Sequence, residues 1–249
     1  MNLIISLYLF ILSFFFEQPI DLNARFNTGQ LIVVTTDSWN KIEGKMSVYE
    51  FKGNRWVPVF TKIPIVTGRS GLAWGKGLHK AELNKGKLKK EGDGNSPAGI
   101  FRLSGLFGYE DIRSEMNSLK VDKQTFCVDD SKSAYYNQIV KSDTVKRDWN
   151  SAETMRMKSD VYKFGIFVDY NVKPAIPNMG SCIFMHIWSG SNKPTAGCTA
   201  MKESDILKLI HFLDKKKNPI LVQLPLAEYS KLKSMYKLPK DQNYPSLKN

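Results

Sequence analysis

The sequence of 249 residues is poor in cysteine and histidine, with three of each. Three cysteines close at most one disulfide bond and leave one thiol over, which excludes a small fold held together by several disulfides. No Cys-x-x-Cys pair occurs, which argues against a cysteine-rich zinc module. With 42% apolar and 12% aromatic residues, the chain instead has the composition of a packed globular protein.

The N-terminal segment lacks the length of a membrane-spanning helix. Residues 3–16 carry no charge, but a spanning helix needs about 20 apolar residues. The segment suits the apolar part of a secretory signal, so we expect residues 1–28 to be a signal peptide or N-terminal anchor of an exported, periplasmic or envelope-associated protein. No basic residue precedes Arg25. An uncleaved anchor and a buried first strand or helix therefore stay open as alternatives.

Basic residues outnumber acidic ones by 36 to 24, a formal net charge of +12. Such a charge attracts polyanions of any kind. The lysines between Lys76 and Lys90 alternate with Gly and Leu rather than with aromatic residues that stack on bases. No nucleic-acid-binding motif accompanies them. We expect a solvated lysine-rich loop and no nucleic-acid partner, which leaves anionic polymers of the cell envelope as candidate partners.

Short segments rich in β-branched and aromatic residues dominate the pattern, separated by turn residues. The first four predict an antiparallel meander: 31–36, 45–51, 56–60 and 63–67. Four later segments also read as strands: 99–103, 162–170, 182–187 and 220–224. The sequence therefore predicts a mainly β protein.

Two amphipathic segments predict helices, at 203–215 and 226–238. Between residues 104 and 161 the pattern is irregular and polar, which is typical of an inserted cover or small subdomain. We therefore expect a single β-rich domain over residues 29–225, with an insertion at residues 104–161. A C-terminal helix and tail would occupy residues 226–249.

The chemistry is expected in the segment from His186 to Cys198. An apolar strand delivers His186, a turn region follows, and Cys198 comes just before the predicted helix. The two side chains would meet across a hairpin, where an imidazole raises the thiolate fraction of a neighbouring thiol. Gly197 would let a substrate carbonyl approach closely, with nearby amides at the developing oxyanion. A buried cysteine and a core histidine form the alternative interpretation.

The segments 180–186 and 194–198 resemble the catalytic signature of the L,D-transpeptidase family of peptidoglycan cross-linking enzymes. Further segments resemble the same family in the same order: 67–75, 89–101, 127–137 and 169–171. The chain carries Ala196 and Ala200 where many members have His and Arg. This resemblance implies a β-sandwich or barrel with a few peripheral helices. It leaves the substrate preference open.

The resemblance implies that Cys198 forms an acyl thioester with a peptidoglycan stem peptide, that His186 is the general base, and that Gly197 contributes to the oxyanion site. Thr195 would orient the substrate or the loop. No cofactor or metal is implied, and the oligomeric state stays open. The alternatives are an L,D-carboxypeptidase or amide hydrolase on the same substrate, and a non-catalytic wall-binding protein.

Several other side chains are candidates for the site. Trp74, Trp188 and Ser191 are expected as substrate-binding residues, with core packing as the alternative for the two tryptophans. For Cys182, core packing and a disulfide with Cys127 both stay open. His79 and His211 are expected at the surface.

Overall fold

The computed structural model describes residues 19–242 of the chain. The fold is mainly β, as the sequence predicted, with thirteen strands and three helices in this part of the chain. The strands are β1 (Gln30–Thr36), β2 (Glu43–Lys52), β3 (Arg55–Val66), β4 (Leu72–Trp74), β5 (Ser96–Gly108), β6 (Ser118–Lys120), β7 (Thr125–Val128), β8 (Ile139–Lys141), β9 (Ala152–Thr154), β10 (Phe164–Val168), β11 (Phe184–Ile187), β12 (Thr199–Met201) and β13 (Ile220–Pro225). The helices are α1 (Leu22–Phe26), α2 (Glu203–Phe212) and α3 (Leu226–Met235).

Strands β1, β2 and β3 form the expected antiparallel meander. The segments expected as two separate strands, 56–60 and 63–67, are one continuous strand, β3. Its pairing with β2 is irregular around Val48, and Lys62 between the two segments has a positive φ of 60°. In the sequence, such a bulge resembles a turn between two strands. In the structure, the hydrogen-bonded pairing of β3 with β2 continues on both sides of it.

The large sheet returns on itself through β5, a strand of 13 residues. Residues 99–102 of β5 pair with β13, and residues 103–108 pair with β10. From β10 the sheet runs through β11, β12, β3, β2 and β1 back to β13. Such a closed path is that of a barrel-like core, which confirms the expected sandwich or barrel class.

Two apolar clusters fill this architecture. One lies between the sheet and α2, and its members include Ile206, Leu209 and Ile210. The other lies beneath α1 and α3 and includes fully buried Leu22. Residues 21–28 were expected in the leader, but α1 is capped by Asp21 and packs into this cluster. The folded domain therefore begins before residue 29, whereas residues 1–18 of the expected leader lie outside the described residues.

Both predicted helices form, but each is three residues shorter than expected. Helix α2 ends at Phe212, because Leu213 takes an extended backbone conformation with ψ 135°. The Asp214 carboxylate then accepts a hydrogen bond from the Lys216 amide and begins a separate 3-10 turn. The helix therefore ends before the chain reaches Pro219. No helix within residues 19–242 has the length and apolar character needed to cross a bilayer.

The irregular segment is shorter than the expected insertion 104–161, since β5 continues to Gly108. Its strands β7, β8 and β9 form a separate three-stranded sheet. A disulfide bond joins Cys127 of β7 to Cys182, just before β11. Of the two alternatives for Cys182, the structure contains the disulfide, and this bond attaches the small sheet to the segment that leads into β11 of the large sheet.

Candidate functional site

Strands β11 and β12 place His186 and Cys198. The two strands are parallel neighbours, with His186 opposite Ala200. The expected hairpin is therefore wrong: the connection between them crosses over instead of reversing into an antiparallel pair. Since side chains alternate along extended chain, Cys198, two residues before Ala200, lies on the same face as His186. Both residues line one cavity of about 160 Å³.

The Cys198 thiol is buried, with the residue 6% exposed. Its sulfur accepts a hydrogen bond from the Phe184 amide at 3.3 Å and donates one to the Cys182 carbonyl oxygen at 3.5 Å. Burial raises the pKa of the thiol above its usual value, and the nearby Glu153 carboxylate raises it further. The resting site therefore holds a neutral thiol rather than the thiolate that the sequence suggested.

The His186 imidazole is also buried, with 5% of the residue exposed. Its Nδ1 lies 2.8 Å from the carbonyl oxygen of Ile187. A carbonyl can only accept, so Nδ1 carries the proton and Nε2 has the free lone pair. Burial lowers the imidazole pKa to about 4, opposed by the hydrogen bond to Ile187. The ring is therefore neutral at pH 7 and able to accept a proton.

A set of hydrogen bonds fixes the backbone of Cys198. Its carbonyl oxygen accepts hydrogen bonds from the hydroxyls of Ser96 at 2.8 Å and Thr195 at 2.7 Å. The Gly197 amide donates to the Thr195 hydroxyl at 3.1 Å. Thr195 thus orients the loop, which is one of its two expected uses. The Gly197 amide is already engaged in the resting site, so its expected place at an oxyanion is not available without a rearrangement of this bond.

Two groups at the site were missed by the sequence analysis, Tyr162 and Glu153. The hydroxyl of Tyr162 donates to Glu153 Oε2 at 2.6 Å, and its ring packs edge-on against His186 with centroids 5.1 Å apart. Glu153 belongs to the short strand β9 of the small sheet. Tyr162 was expected to begin the strand 162–170 but ends a 3-10 turn before β10, and nothing in the sequence marks it or Glu153 as a residue of the site.

Charged side chains line the rest of the cavity: Arg69, Lys89, Glu91 and Asp129. Lys89 was expected in a solvated loop, but it is 3% exposed and pairs with Asp93 at 2.7 Å. The Asp129 Oδ1 atom is buried without a hydrogen-bond partner. Within the described residues, no group of three or more His, Cys, Asp or Glu side chains is arranged to hold a metal ion. Arg69, Lys89 and Glu91 lie within or next to the segments that carried the family resemblance, which was the signal available for them.

A second cavity of about 290 Å³ adjoins the first, and Glu153, Tyr162 and His186 line both. Half-buried Trp188 lines this second cavity, together with Ala196 and Ala200. The small side chains at these two positions leave room that the larger residues of many family members would occupy. The expected contact of Trp188 with a substrate stays a prediction.

The structure places three other candidates elsewhere. Trp74, expected in the groove, is 2% exposed and packs against Trp39 in the second core cluster. Ser191 is exposed in the turn and lines neither cavity. His79, expected at the surface, is 6% exposed, with Nε2 2.7 Å from Asn84 Oδ1. Trp74 is buried because its large aromatic ring gains free energy when it leaves water. His79 can be buried because its ring nitrogen has a hydrogen-bond partner, the side chain of Asn84.

The chain is similar to a solved structure and to the model of a protein family. The crystal structure of the helical cell shape determining protein Pgp2 from Campylobacter jejuni is similar over 78% of this chain, with 14% identity and a TM-score of 0.37. The alignment covers 48% of the Pgp2 chain, so this chain matches about half of that protein. No curated protein sequence matches significantly. The model of the YkuD family, the L,D-transpeptidase catalytic domain, matches residues 39–222. The chain therefore belongs to the YkuD family of L,D-transpeptidase catalytic domains.

Proposed function

We propose that the protein is an L,D-transpeptidase that transfers an acyl group between peptidoglycan stem peptides through a thioester on Cys198. The observation that carries this proposal is the shared cavity of Cys198 and His186, inside the region that matches the family model. Proteins of this family act on peptidoglycan stem peptides. The proposal assigns the same substrate class to this chain.

In the reaction, the Cys198 sulfur attacks the amide carbonyl of a donor stem, and the amine on its far side leaves. An acceptor amine from a second stem then attacks the thioester and regenerates the thiol. His186 serves as general base with its free Nε2. Among the backbone amides, that of Cys198 is our candidate donor for the oxyanion.

The second cavity favours an amine acceptor over water. It is lined by Trp188 and shares His186 and Tyr162 with the cavity that contains Cys198. A site with two cavities that both reach His186 has room for two peptides at once. A hydrolase needs only one of them.

We further propose that the protein acts outside the cytoplasm, as the N-terminal sequence suggested. The Cys127–Cys182 disulfide supports this, because structural disulfides persist in oxidising compartments. Fractionation of cells that make the full chain tests it. Recovery with cytoplasmic markers would refute the proposal.

The activity is tested by incubating the purified protein with a disaccharide tetrapeptide and analysing the products by mass spectrometry. A transpeptidase gives a cross-linked dimer, a carboxypeptidase gives a trimmed monomer, and a wall-binding protein leaves the substrate unchanged. An acyl adduct on the protein should disappear in the Cys198→Ala variant. An adduct on another residue, or a dimer formed by Cys198→Ala, would refute the assignment of the nucleophile.

A further inference from the structure

Two backbone groups of one short segment, residues 182–184, contact the sulfur of Cys198. The carbonyl oxygen of Cys182 accepts a hydrogen bond from the thiol at 3.5 Å, and the amide of Phe184 donates one to the sulfur at 3.3 Å. The second bond gains strength when the sulfur becomes a thiolate, because hydrogen bonds to charged acceptors are stronger than those between neutral groups. The position of this segment therefore bears on how readily the thiol ionises.

The segment has an unusual backbone conformation at Cys182. Its φ is 55°, in the left-handed region that residues other than glycine rarely adopt. Such a conformation costs free energy and persists only where the surrounding contacts enforce it. Rotation about this bond turns the chain that follows, including the Cys182 carbonyl and the Phe184 amide. A contact that enforces the left-handed φ thereby also directs both groups at the sulfur.

The side chain of Asn137 makes such a contact, although Asn137 lines neither cavity of the site. Its Oδ1 accepts a hydrogen bond from the Cys182 amide at 2.9 Å. Its Nδ2 donates to the carbonyl oxygens of Tyr170 at 2.9 Å and Asn171 at 2.8 Å. One acceptor and two donors thus meet one donor and two acceptors, which leaves a single compatible orientation for the amide group. A carboxylate here would place an oxygen against two carbonyl oxygens.

We infer that Asn137 is a positioning residue for the nucleophile. It holds Cys182 in the left-handed conformation, so that the Phe184 amide stays directed at the Cys198 sulfur. This role rests on the proposed function for its effect in turnover, and His186 keeps its place as the general base.

The disulfide does not make this contact redundant. It fixes the side chain of Cys182, whereas Asn137 fixes the backbone amide of the same residue. Asn137 ends the segment 127–137, and its two carbonyl partners lie in the segment 169–171. Both segments carried the family resemblance. The contact gives these distant parts of the sequence a common structural role.

The role of Asn137 is tested without any peptidoglycan substrate, by alkylating Cys198 with iodoacetamide at a series of pH values. The other two cysteines are joined in a disulfide, so Cys198 is the one free thiol of the chain. Mass spectrometry of the peptide that contains it follows the modification, and the rate follows the thiolate fraction. The titratable side chains around the sulfur are the same in the asparagine variants compared below: Arg69, Lys89, Glu91, Asp129, Glu153, Tyr162 and His186.

Asn137→Gly removes the side chain and suits the backbone of residue 137, whose φ is 59°. We expect its alkylation rate at about pH 7.5 to fall about tenfold, because the thiolate loses an aligned amide donor. Asn218→Gly is the matched control. Asn218 also has a positive φ, of 46°, and its Nδ2 donates to the Asn27 carbonyl oxygen at 2.9 Å, but it lines neither cavity of the site. This variant should keep the native rate within about twofold.

A rate that is unchanged or higher in Asn137→Gly would overturn the role. Equal losses in Asn137→Gly and Asn218→Gly would also overturn it, since they would reflect a general loss of stability rather than a displaced amide.

Two NMR measurements on other forms of the protein decide the question even if Asn137→Gly does not fold. In the native protein, the Cys182 amide should exchange with solvent more slowly than the amides of exposed loops. In Cys198→Ala, the Phe184 amide proton loses its acceptor, so its signal should move upfield. Fast exchange at Cys182, or a Phe184 signal that does not move, would refute the role of Asn137.

In turnover, Asn137→Gly should lower kcat about tenfold and leave KM nearly unchanged, because the nucleophile rather than the substrate is displaced. A loss confined to KM would contradict a positioning role. Failure of the disaccharide tetrapeptide assay in the native protein would refute the transpeptidase proposal, whereas the alkylation rates would still decide the role of Asn137.

Discussion

The Cys198 thiol donates a hydrogen bond to the carbonyl oxygen of Cys182, which is itself bonded to Cys127. The disulfide of the small sheet is therefore one hydrogen bond away from the proposed nucleophile. It holds the segment before β11 against β7, and through the small sheet it also holds Glu153 beside the site. The cross-link and the reactive thiol are parts of one structural unit.

Removal of the disulfide should destabilise the protein and loosen the site. The cross-link spans 55 residues of chain, and a native disulfide of this kind contributes about 2–4 kcal/mol. We expect Cys127→Ala/Cys182→Ala to unfold at a clearly lower temperature, measured by circular dichroism. Cys198→Ala, which removes a thiol without removing a cross-link, is the control. Equal melting temperatures for the double variant and the native protein would contradict this role.

Gly68 is required for the close approach of two loops beside Cys198. A Cβ atom built at this position would lie 2.2 Å from the Gly94 carbonyl oxygen and 2.8 Å from the Ser96 amide nitrogen. Backbone atoms cannot yield as a flexible side chain does, so Gly68→Ala should cost about 3 kcal/mol or more. Gly29→Ala is the matched control, because its Cβ would make an ordinary 3.4 Å contact with Lys217. Chemical denaturation measures both, and an equal small effect would refute the packing argument.

The Glu153 carboxylate should make the stability of the fold depend on pH. Burial raises its pKa from the usual 4.5 to about 7, so the folded state favours the protonated form. This contribution is fully present below about pH 4.5 and is lost as the pH rises to about 7. Glu153→Gln should therefore gain stability relative to the native protein across this window, by about 3 kcal/mol above pH 7. Melting curves from pH 4 to pH 8 measure the difference, and a constant difference over that range would contradict the prediction.

The net charge of +12 predicts salt-sensitive binding to the anionic cell wall. Exposed charges are screened over about 10 Å at 0.1 M salt and about 3 Å at 1 M. The amount of protein that co-sediments with purified sacculi should fall several-fold between about 0.05 M and about 0.5 M salt. The Cys198→Ala variant should behave in the same way, since binding precedes chemistry. Binding that does not respond to salt would refute a role for the charge.

Much of the fold was predictable because its signals are local. Strand β1 is a run rich in β-branched residues, and α2 has an apolar stripe at helical spacing. Each of these elements can therefore be predicted from its own residues. The parallel pairing of β11 and β12 was missed because β12 has only three residues and its partner is chosen by the whole sheet. A short strand carries no information on its direction.

The site was predictable only in part, for a similar reason. Cys198 and His186 lie in one motif, and the structure brings them to one cavity. Glu153 reaches that cavity from an aperiodic segment, through a small sheet held by a disulfide, and Tyr162 reaches it from the 3-10 turn at Asp160–Tyr162. Trp74 was misplaced because an aromatic residue next to glycines fits a groove and a core equally well. Tertiary packing alone distinguishes the two positions.

The parallel arrangement of β11 and β12 has a consequence for the evolution of the protein. The connection between the two strands includes an exposed stretch, residues 191–194, while the ladders on either side hold His186 and Cys198 in register. Insertions or deletions in that stretch would change the shape of the cavity beside Trp188 without moving the sulfur. The entrance to this cavity can therefore vary during evolution while the imidazole and the thiol keep their positions.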